Sequence, residues 1–472
     1  MERLNIPYQV YNIQAICRNP HVKYGFLKGQ GGSGKTYSIA QFIKHSKIGH
    51  YQYLFLGPTG KSISVAEDKG LVGSTIHRFF MIQNNDTKVK LDNFINYKFK
   101  SMKNYYSEIK KKFIDIKYIF IDEVSMVNEE LLFHVLRTIE QSARPDVKVF
   151  LSGDYHQLAS IKNEISTAPS SLEMVKNLIA ERGMLTIDFN TRYRSPNEDY
   201  NEFLFDLRAG KIHDSQTIAN YLKHFCNIYK TNVPDEVKHK ITFLEFTNSK
   251  VKEINEILMD DLEGKEYSYP MKIIKAEYPT NDTFIKNRII KDFQMDEEVK
   301  FKIGSKILFR VNNMDGQFKN GDEGIIESVS SNSIFIRKFL PNKQESLIEV
   351  KKHTYRTGPL DEQDGISIEV EQWPFSLGNS RTIHKAQGDG FKFLHFNFDF
   401  FNFNNIIDQF KWQLFYVCLS RVEDPSTVWI SEESIRILES KWSLFKSINH
   451  SKLSLNFDSD EMMAENYLRR VF

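Results

Sequence analysis

Gly29-Gln-Gly-Gly-Ser-Gly34-Lys35-Thr36 fits the pattern G-x-x-x-x-G-K-[ST], and its flanks decide the fold. A short apolar run, Tyr24 to Leu27, precedes it, and Tyr37 to His45 continues with helical spacing. Glycines in this arrangement let successive backbone N–H groups turn inward around an anion, and the helix start behind them adds the positive end of its dipole. Lys35 then reaches the β- and γ-phosphates of ATP, and the Thr36 hydroxyl is a ligand for Mg2+. Gly29, Gly31, Gly32, Ser33 and Gly34 line the same cradle.

Outward from this stretch, Tyr53 to Leu56, Tyr118 to Ile121 and Val147 to Leu151 repeat the pattern of a short aromatic or β-branched run followed by a polar helix or turn. Such runs read as buried parallel strands of an α/β domain, and parallel sheets bind ligands at the carboxyl ends of their strands. Ile119-Phe-Ile-Asp122-Glu123 ends one of them. Asp122 is placed to hold Mg2+, and Glu123 to act as general base toward water at the γ-phosphate. An acidic pair at a strand end is common by itself; a phosphate loop upstream gives it a chemical task. The pair favours hydrolysis over transfer to a second substrate, for which no site is evident.

Two segments break the α/β pattern. Met81 to Lys117 carries nine lysines and four acidic residues, with Phe94, Tyr97, Phe99, Tyr105 and Tyr106 interleaved. It reads either as a solvated helical insertion or as a nucleic-acid contact. About Glu263 to Ile366, the runs Lys306–Val311, Gly324–Val329, Ser333–Lys338 and Leu347–Lys351 predict a small β-barrel, with Asn320-Gly321 and Gly324 in its turns.

The 472 residues suffice for about three domains and a sizeable core. With 63 basic and 61 acidic residues, a nucleic-acid partner must be held by a local groove and not by net charge. Three scattered cysteines fit neither a disulfide framework nor a zinc cluster, so a reducing compartment is expected. No apolar run approaches the ~18 to 20 residues of a membrane span, and the first residues lack a secretory pattern, so no membrane partner is expected. The expected location is cytoplasmic or nuclear, within a host cell if the lysine-, asparagine-, isoleucine- and phenylalanine-rich composition reflects a viral or phage source.

From Asp122-Glu-Val-Ser-Met126 onward the chain resembles superfamily 1B DNA helicases of the RecD/Dda/Pif-like branch. Gly57-Pro58-Thr59-Gly60 and Gly73-Ser-Thr75-Ile-His77 resemble its early DNA-contacting motifs. Gly153-Asp154-Tyr-His-Gln157-Leu158, Asn190-Thr-Arg-Tyr-Arg194 and Phe246-Thr-Asn248 with Asn255 follow in family order, then Thr382-Ile-His384-Lys385-Ala-Gln387-Gly388 and Tyr416-Val-Cys-Leu-Ser-Arg421. The match runs from about Gln9 to Arg421. Four positions depart from the pattern: Ala159 where proline is usual, Lys61 and Ser62 where small residues are, and Ala386 where serine is commoner.

The resemblance implies an α/β fold of two RecA-like P-loop domains with a small inserted pin domain and an inserted SH3-like β-barrel domain. The first RecA-like domain takes residues 1–80 and 112–190 around the pin, 81–111. The second takes 191–262 and 367–450 around the barrel, 263–366, and a tail follows at 451–472. By the same resemblance Arg194 and Arg421 come from the second domain as arginine fingers, and Gln157 senses the γ-phosphate. Gln9 reads adenine, with Gln14 as competitor, and Gln387 and Gly388 join the ATP-binding set. Pro58, Thr59, Thr75, His77, Asn248, Thr382, His384 and Lys385 contact DNA. The implied activity is ATP-dependent 5′ to 3′ unwinding by a monomer acting on single-stranded DNA and forked duplex DNA in replication, recombination or repair. Its expected partners include a single-strand-binding protein or replication proteins. An RNA helicase, or a nucleotide-switched nucleic-acid-binding factor that does not unwind, are the alternatives; the complete set of Glu123, Arg194 and Arg421 speaks against the second.

Overall fold

A computed structural model describes residues 8–82, 107–158, 161–163, 166–167, 171–276, 290, 296–313, 315–339, 345–357 and 368–448. The five aromatics of the lysine-rich segment, Ala159, parts of the expected barrel and the acidic stretch Asp458 to Glu465 lie outside the described residues. Among those described, no helix is long and apolar enough to cross a membrane. The chain forms two compact units, the first of residues 1–230, 386–392 and 397–472, the second of 231–385 and 393–396.

The first unit is built on a six-stranded parallel sheet of β1 (Tyr24–Gly29), β2 (Tyr53–Gly57), β3 (Gly73–Thr75), β4 (Tyr118–Ile121), β5 (Lys148–Gly153) and β6 (Leu185–Phe189), in the order β3-β2-β4-β5-β1-β6. The interior strands β2, β4 and β5 are buried along almost their whole length because both faces are covered, whereas the edge strands β3 and β6 are partly exposed. Phe26, Ile119, Ile121, Val149 and Leu151 share one core with Leu132, Val135 and Ile139 of the helix Glu129–Ser142. The intervening Leu27, Phe120 and Phe150 join the opposite core with Val10 and Ile13 of the helix Tyr8–Arg18 and Ile39 and Phe42 of the helix Lys35–His45. The alternation hidden inside the apolar runs thus sorts side chains between two cores. The strand order also explains where chemistry collects. β1 is flanked by β5 and β6, so its carboxyl end opens at a point where the order of connection reverses.

The second unit combines three short parallel strands with an antiparallel sheet. Thr242–Glu245 lies between Ser380–Thr382 and Leu394–Phe396. The antiparallel sheet has five strands in spatial order Glu345–Val350, Ile334–Phe339, Glu323–Val329, Lys306–Phe309 and Phe375–Leu377. Phe301, Ile307, Phe309, Ile326, Ile336, Trp373 and Phe375 form its core.

Two expectations are corrected here. Gly324 is not a turn residue: it sits inside a strand opposite Lys338, where a Cβ would come within 2.6 Å of Ile336 Cγ2 and 2.9 Å of the Arg337 carbonyl. The turn belongs to Gly321, with φ +94°. The sheet also recruits Phe375–Leu377, beyond the expected end of the insertion at residue 366, because Ile307 to Phe309 pair with it. Arg194 and Arg421 fall in the same compact unit as the phosphate loop: Tyr193 N–H donates to Gly32 O (2.8 Å) and Arg192 donates to the carbonyls of Ser420 (3.1 Å) and Val422 (2.8 Å).

Gly324→Val is expected to lower the unfolding midpoint of the full chain by overpacking, at a cost of about 1–3 kcal/mol. Urea titration followed by tryptophan fluorescence reads this, since Trp373 lies in the affected core.

Candidate active site

Gly34 precedes the helix Lys35–His45 with φ +89°, a conformation that side chains resist, and no side chain caps that helix. Its first N–H groups therefore face the loop, as anion binding requires. Lys35 Nζ donates to the carbonyls of Gly29 (2.7 Å) and Gln30 (3.1 Å), folded over the loop it serves. The Ser33 hydroxyl is buried without a hydrogen-bond partner. A buried orphan hydroxyl in a glycine-rich cradle fits an anionic ligand that supplies the missing acceptor.

The next layer fixes the Asp122 carboxylate. Thr36 Oγ1 donates to Asp122 Oδ2 at 2.8 Å, joining the phosphate loop to the end of β4. The other oxygen, Asp122 Oδ1, accepts from the Ser152 hydroxyl and from Glu123 N–H at 3.0 Å. Asp122 is only 4% exposed. A hydroxyl and a carboxylate in direct contact are the oxygen donors that a hard cation such as Mg2+ selects. Glu123 has φ +51°, a left-handed backbone at a non-glycine residue. Such conformations cost roughly 1–3 kcal/mol and persist where surrounding structure imposes them. Burial, and then the adjacent Asp122, raise its carboxyl above the ordinary range, which suits a group that must accept a proton near neutrality.

Opposite stand two guanidiniums. Arg194 donates to the carbonyls of Ser420 (2.7 Å) and Gly388 (3.3 Å). Arg421 is 1% exposed and donates from Nη2 to Gln157 Oε1 (3.1 Å) and from Nη1 to Asp389 O (3.3 Å). All three converge on one loop residue. A Cβ at Gly31 would lie 2.6 Å from Arg421 Nη2, 3.0 Å from Gln157 Nε2 and 3.3 Å from Arg194 Nη1. Burial, then Arg421 and Arg192, push the Arg194 guanidinium well below its ordinary value. Adjacent buried cations are costly until an anion joins them.

Gln387 donates to Leu158 O at 3.3 Å, so it too is drawn to this region. Gln9 lies half-buried in the first turn of the helix Tyr8–Arg18, while its competitor Gln14 is engaged with Ser46 Oγ at 3.3 Å. The expected DNA residues divide between the units. In the first, the Thr59 and Thr75 side chains each cap a helix at the end of a strand, accepting from Ser62 N–H (3.2 Å) and Arg78 N–H (3.3 Å), with Pro58 and His77 half-buried beside them in sequence. In the second, Thr382 accepts from Lys385 N–H (3.3 Å), Asn248 starts the helix Asn248–Asp260, and Lys385 is exposed. Burial pushes the His384 imidazole down to about 4, leaving it neutral at physiological pH. Asn255 is no surface contact: it is buried and exchanges two hydrogen bonds with the Ser380 backbone, tying its helix to the strand that presents Thr382.

Sequence reasoning missed several participants. Tyr193 is 67% exposed although its backbone is bonded to Gly32, and its ring lies 3.5 Å from where a Gly34 Cβ would be. Gln413 donates to the carbonyls of Tyr155 (3.3 Å) and Gln157 (2.9 Å). Its signal was available: a glutamine inside the apolar run Trp412 to Leu419 needs a buried partner.

A methyl at Gly31 would displace Arg421 and Gln157 together. Gly31→Ala is expected to cut nucleotide turnover by about 100-fold with little loss of thermal stability, measured by phosphate release and by a melting curve.

Residues 12–163 match the AAA domain family. The ATP-dependent DNA helicase Pif1 of Campylobacter jejuni is 27% identical over 422 residues, covering 86% of this chain and 88% of that protein. Among solved structures, the Pif1 helicase of Candida albicans is similar with a TM-score of 0.67 at 16% identity, over 98% of this chain and 99% of that one. The Bacteroides Pif1 helicase in complex with ADP-AlF3 and single-stranded DNA has a TM-score of 0.61 at 18% identity, over 94% and 98%. Pif1-family superfamily 1B helicases are therefore homologues and structural neighbours of this chain, which has the Pif1 helicase fold around a parallel α/β RecA-like core.

Proposed function

We propose that this chain is an ATP-dependent DNA helicase that moves 5′ to 3′ along single-stranded DNA and separates duplex strands. The observation that carries the reading is the convergence of Arg194, Arg421 and Gln157 on Gly31 of the phosphate loop. A simple nucleotide-binding switch has no need of two guanidiniums at that point. Kinship with DNA helicases and a fold shared with a helicase solved on single-stranded DNA support the choice of polymer.

Each residue then has a task. Lys35 and the N-terminus of its helix bind the phosphates, and Tyr193 flanks the loop from outside. Thr36 and Asp122 hold Mg2+, which when bound neutralises phosphate charge. Glu123 removes a proton from the attacking water, its carboxyl aimed by the left-handed backbone and by the N–H bond to Asp122. Arg194 and Arg421 stabilise the charge that spreads over the γ-phosphoryl oxygens, an effect worth roughly 10³ to 10⁵ in rate for a supplied arginine.

DNA tracking falls to the threonines at strand ends. A hydroxyl that accepts one backbone N–H keeps its own proton and a second lone pair. Thr59, Thr75 and Thr382 can thus cap locally and still donate to a phosphate, which gives contact without base preference. In this reading residues 1–190 and 191–450 act as two RecA-like lobes that alternate their grip, the aromatics within 81–111 supply the pin, and 263–366 the SH3-like barrel. Single-stranded and forked duplex DNA are the substrates, in replication, recombination or repair.

Single-stranded DNA is expected to stimulate ATP hydrolysis more than RNA of equal length, and a 5′-tailed duplex to be unwound in preference to a 3′-tailed one. Absence of any stimulation by DNA would refute the reading. Lys35→Ala should abolish both activities. Glu123→Gln should still bind ATP but turn over at least ~100-fold more slowly, as read by fluorescent-nucleotide titration beside a phosphate-release assay.

A further inference from the structure

Behind Gln157 lies a buried chain of charges that the hydrolytic set does not account for. Arg208, the last residue of the helix Glu198–Arg208, donates from Nη2 (3.1 Å) and Nε (3.3 Å) to Asp154 Oδ1. Asp154 is 2% exposed, and its other oxygen, Oδ2, accepts from Gln157 Nε2 at 3.2 Å. The opposite end of that amide, Oε1, accepts from Arg421 Nη2 at 3.1 Å. Arg208, Asp154, Gln157 and Arg421 thus form one unbroken series from a helix end to the phosphate loop.

The order of these groups has a chemical direction. A glutamine amide has one donor end and one acceptor end. A carboxylate can only accept, so Asp154 selects the orientation that turns Nε2 toward itself and Oε1 toward Arg421. Reversed, the amide would set N–H groups against a guanidinium. An unpaired carboxylate this deep would take up a proton and could then donate, which removes the selection. His156 also faces Asp154, through its backbone N–H (3.2 Å) and Nδ1 (3.4 Å), and Lys35 contributes at longer range. Arg208 is the permanent cation on the side away from the phosphates.

We propose that Arg208 is a positioning residue for ATP hydrolysis, acting through Asp154 to hold Gln157 in the orientation that presents its carbonyl oxygen to Arg421. This rests on the hydrolytic reading given above. Anchoring of the helix is served by other bonds: Tyr200 hydroxyl to Leu419 O (3.0 Å) and Asn201 to the carbonyls of Arg192 (3.3 Å) and Ser195 (2.9 Å).

The test is a double-mutant cycle in the full chain, with kcat and KM for ATP measured in the presence of single-stranded DNA. Arg208→Gln is expected to lower kcat about tenfold while KM stays within about twofold, and Arg208→Lys to recover part of the loss. In a Gln157→Ala background, Arg208→Gln should cost less than about twofold more, because there is no amide left to orient. If Arg208→Gln melts too early to assay, Asp154→Asn in the same cycle reads the same coupling. Effects that simply multiply in the double variant, or a loss of kcat that tracks melting temperature alone, overturn the proposal. A wild-type chain that hydrolyses no ATP overturns the underlying reading, and the proposal with it.

Discussion

A buried Arg421 and a half-buried Arg194 beside a run of backbone without side chains set the terms for this molecule. Like charges at such a distance repel, and burial strips them of the solvent that would screen the repulsion. The protein meets the cost with carbonyl oxygens: Ser420 and Gly388 for Arg194, Asp389 and the Gln157 amide for Arg421. These are dipoles, not charges. They hold the cations in place, while Glu123 acts on both guanidiniums and Glu423 on Arg194 from farther off. Glycine at 31 is then a requirement, since any Cβ would occupy the space in which guanidinium and phosphate must meet.

The same economy of geometry governs the carboxylates. Asp122 spends one oxygen on Thr36 and the other on Ser152 and Glu123 N–H. It is thereby fixed from the phosphate loop, from β5 and from its own chain. Glu123 follows with a backbone twist that turns it away from the course of β4. Adjacent acids in an extended strand would project to opposite faces. The left-handed residue breaks that alternation between the neighbouring carboxyl groups.

How much of this could be read beforehand depends on the range of the interaction involved. The strands at Tyr24, Tyr53, Tyr118 and Val147 were legible because burial on both faces writes a continuous apolar run into the sequence. The glycine-lysine-threonine loop and Asp122-Glu123 were legible because their chemistry is local. Gly324 misled, since a glycine packed against the Ile336 side chain has the same letter as a glycine in a turn, and only the partner strand distinguishes them. The strand Phe375–Leu377 was missed because its pairing with Lys306–Phe309 is joined across a long stretch of chain. The bonds of residues 192–194 to Gly32, Ser420 and Val422 tie them to the compact unit of the phosphate loop, through long-range contacts that no spacing encodes.

The helix-capping threonines show why these motifs combine structure with contact. Each strand end in a parallel sheet must hand over to a helix whose first N–H groups lack partners. Thr59 and Thr75 solve that problem for their own helices, and Thr247 does so for the helix Asn248–Asp260. The carboxyl edge of a parallel sheet is also where ligands bind. A residue that must cap there is already aimed at the open edge, and a hydroxyl needs no further change to donate to a passing phosphate. Replacing such a threonine by serine keeps cap and donor, whereas valine keeps only the shape. The two functions can therefore be lost together but not easily apart. That constraint would place the proposed DNA contacts in the same turns that end the strands of the parallel sheet.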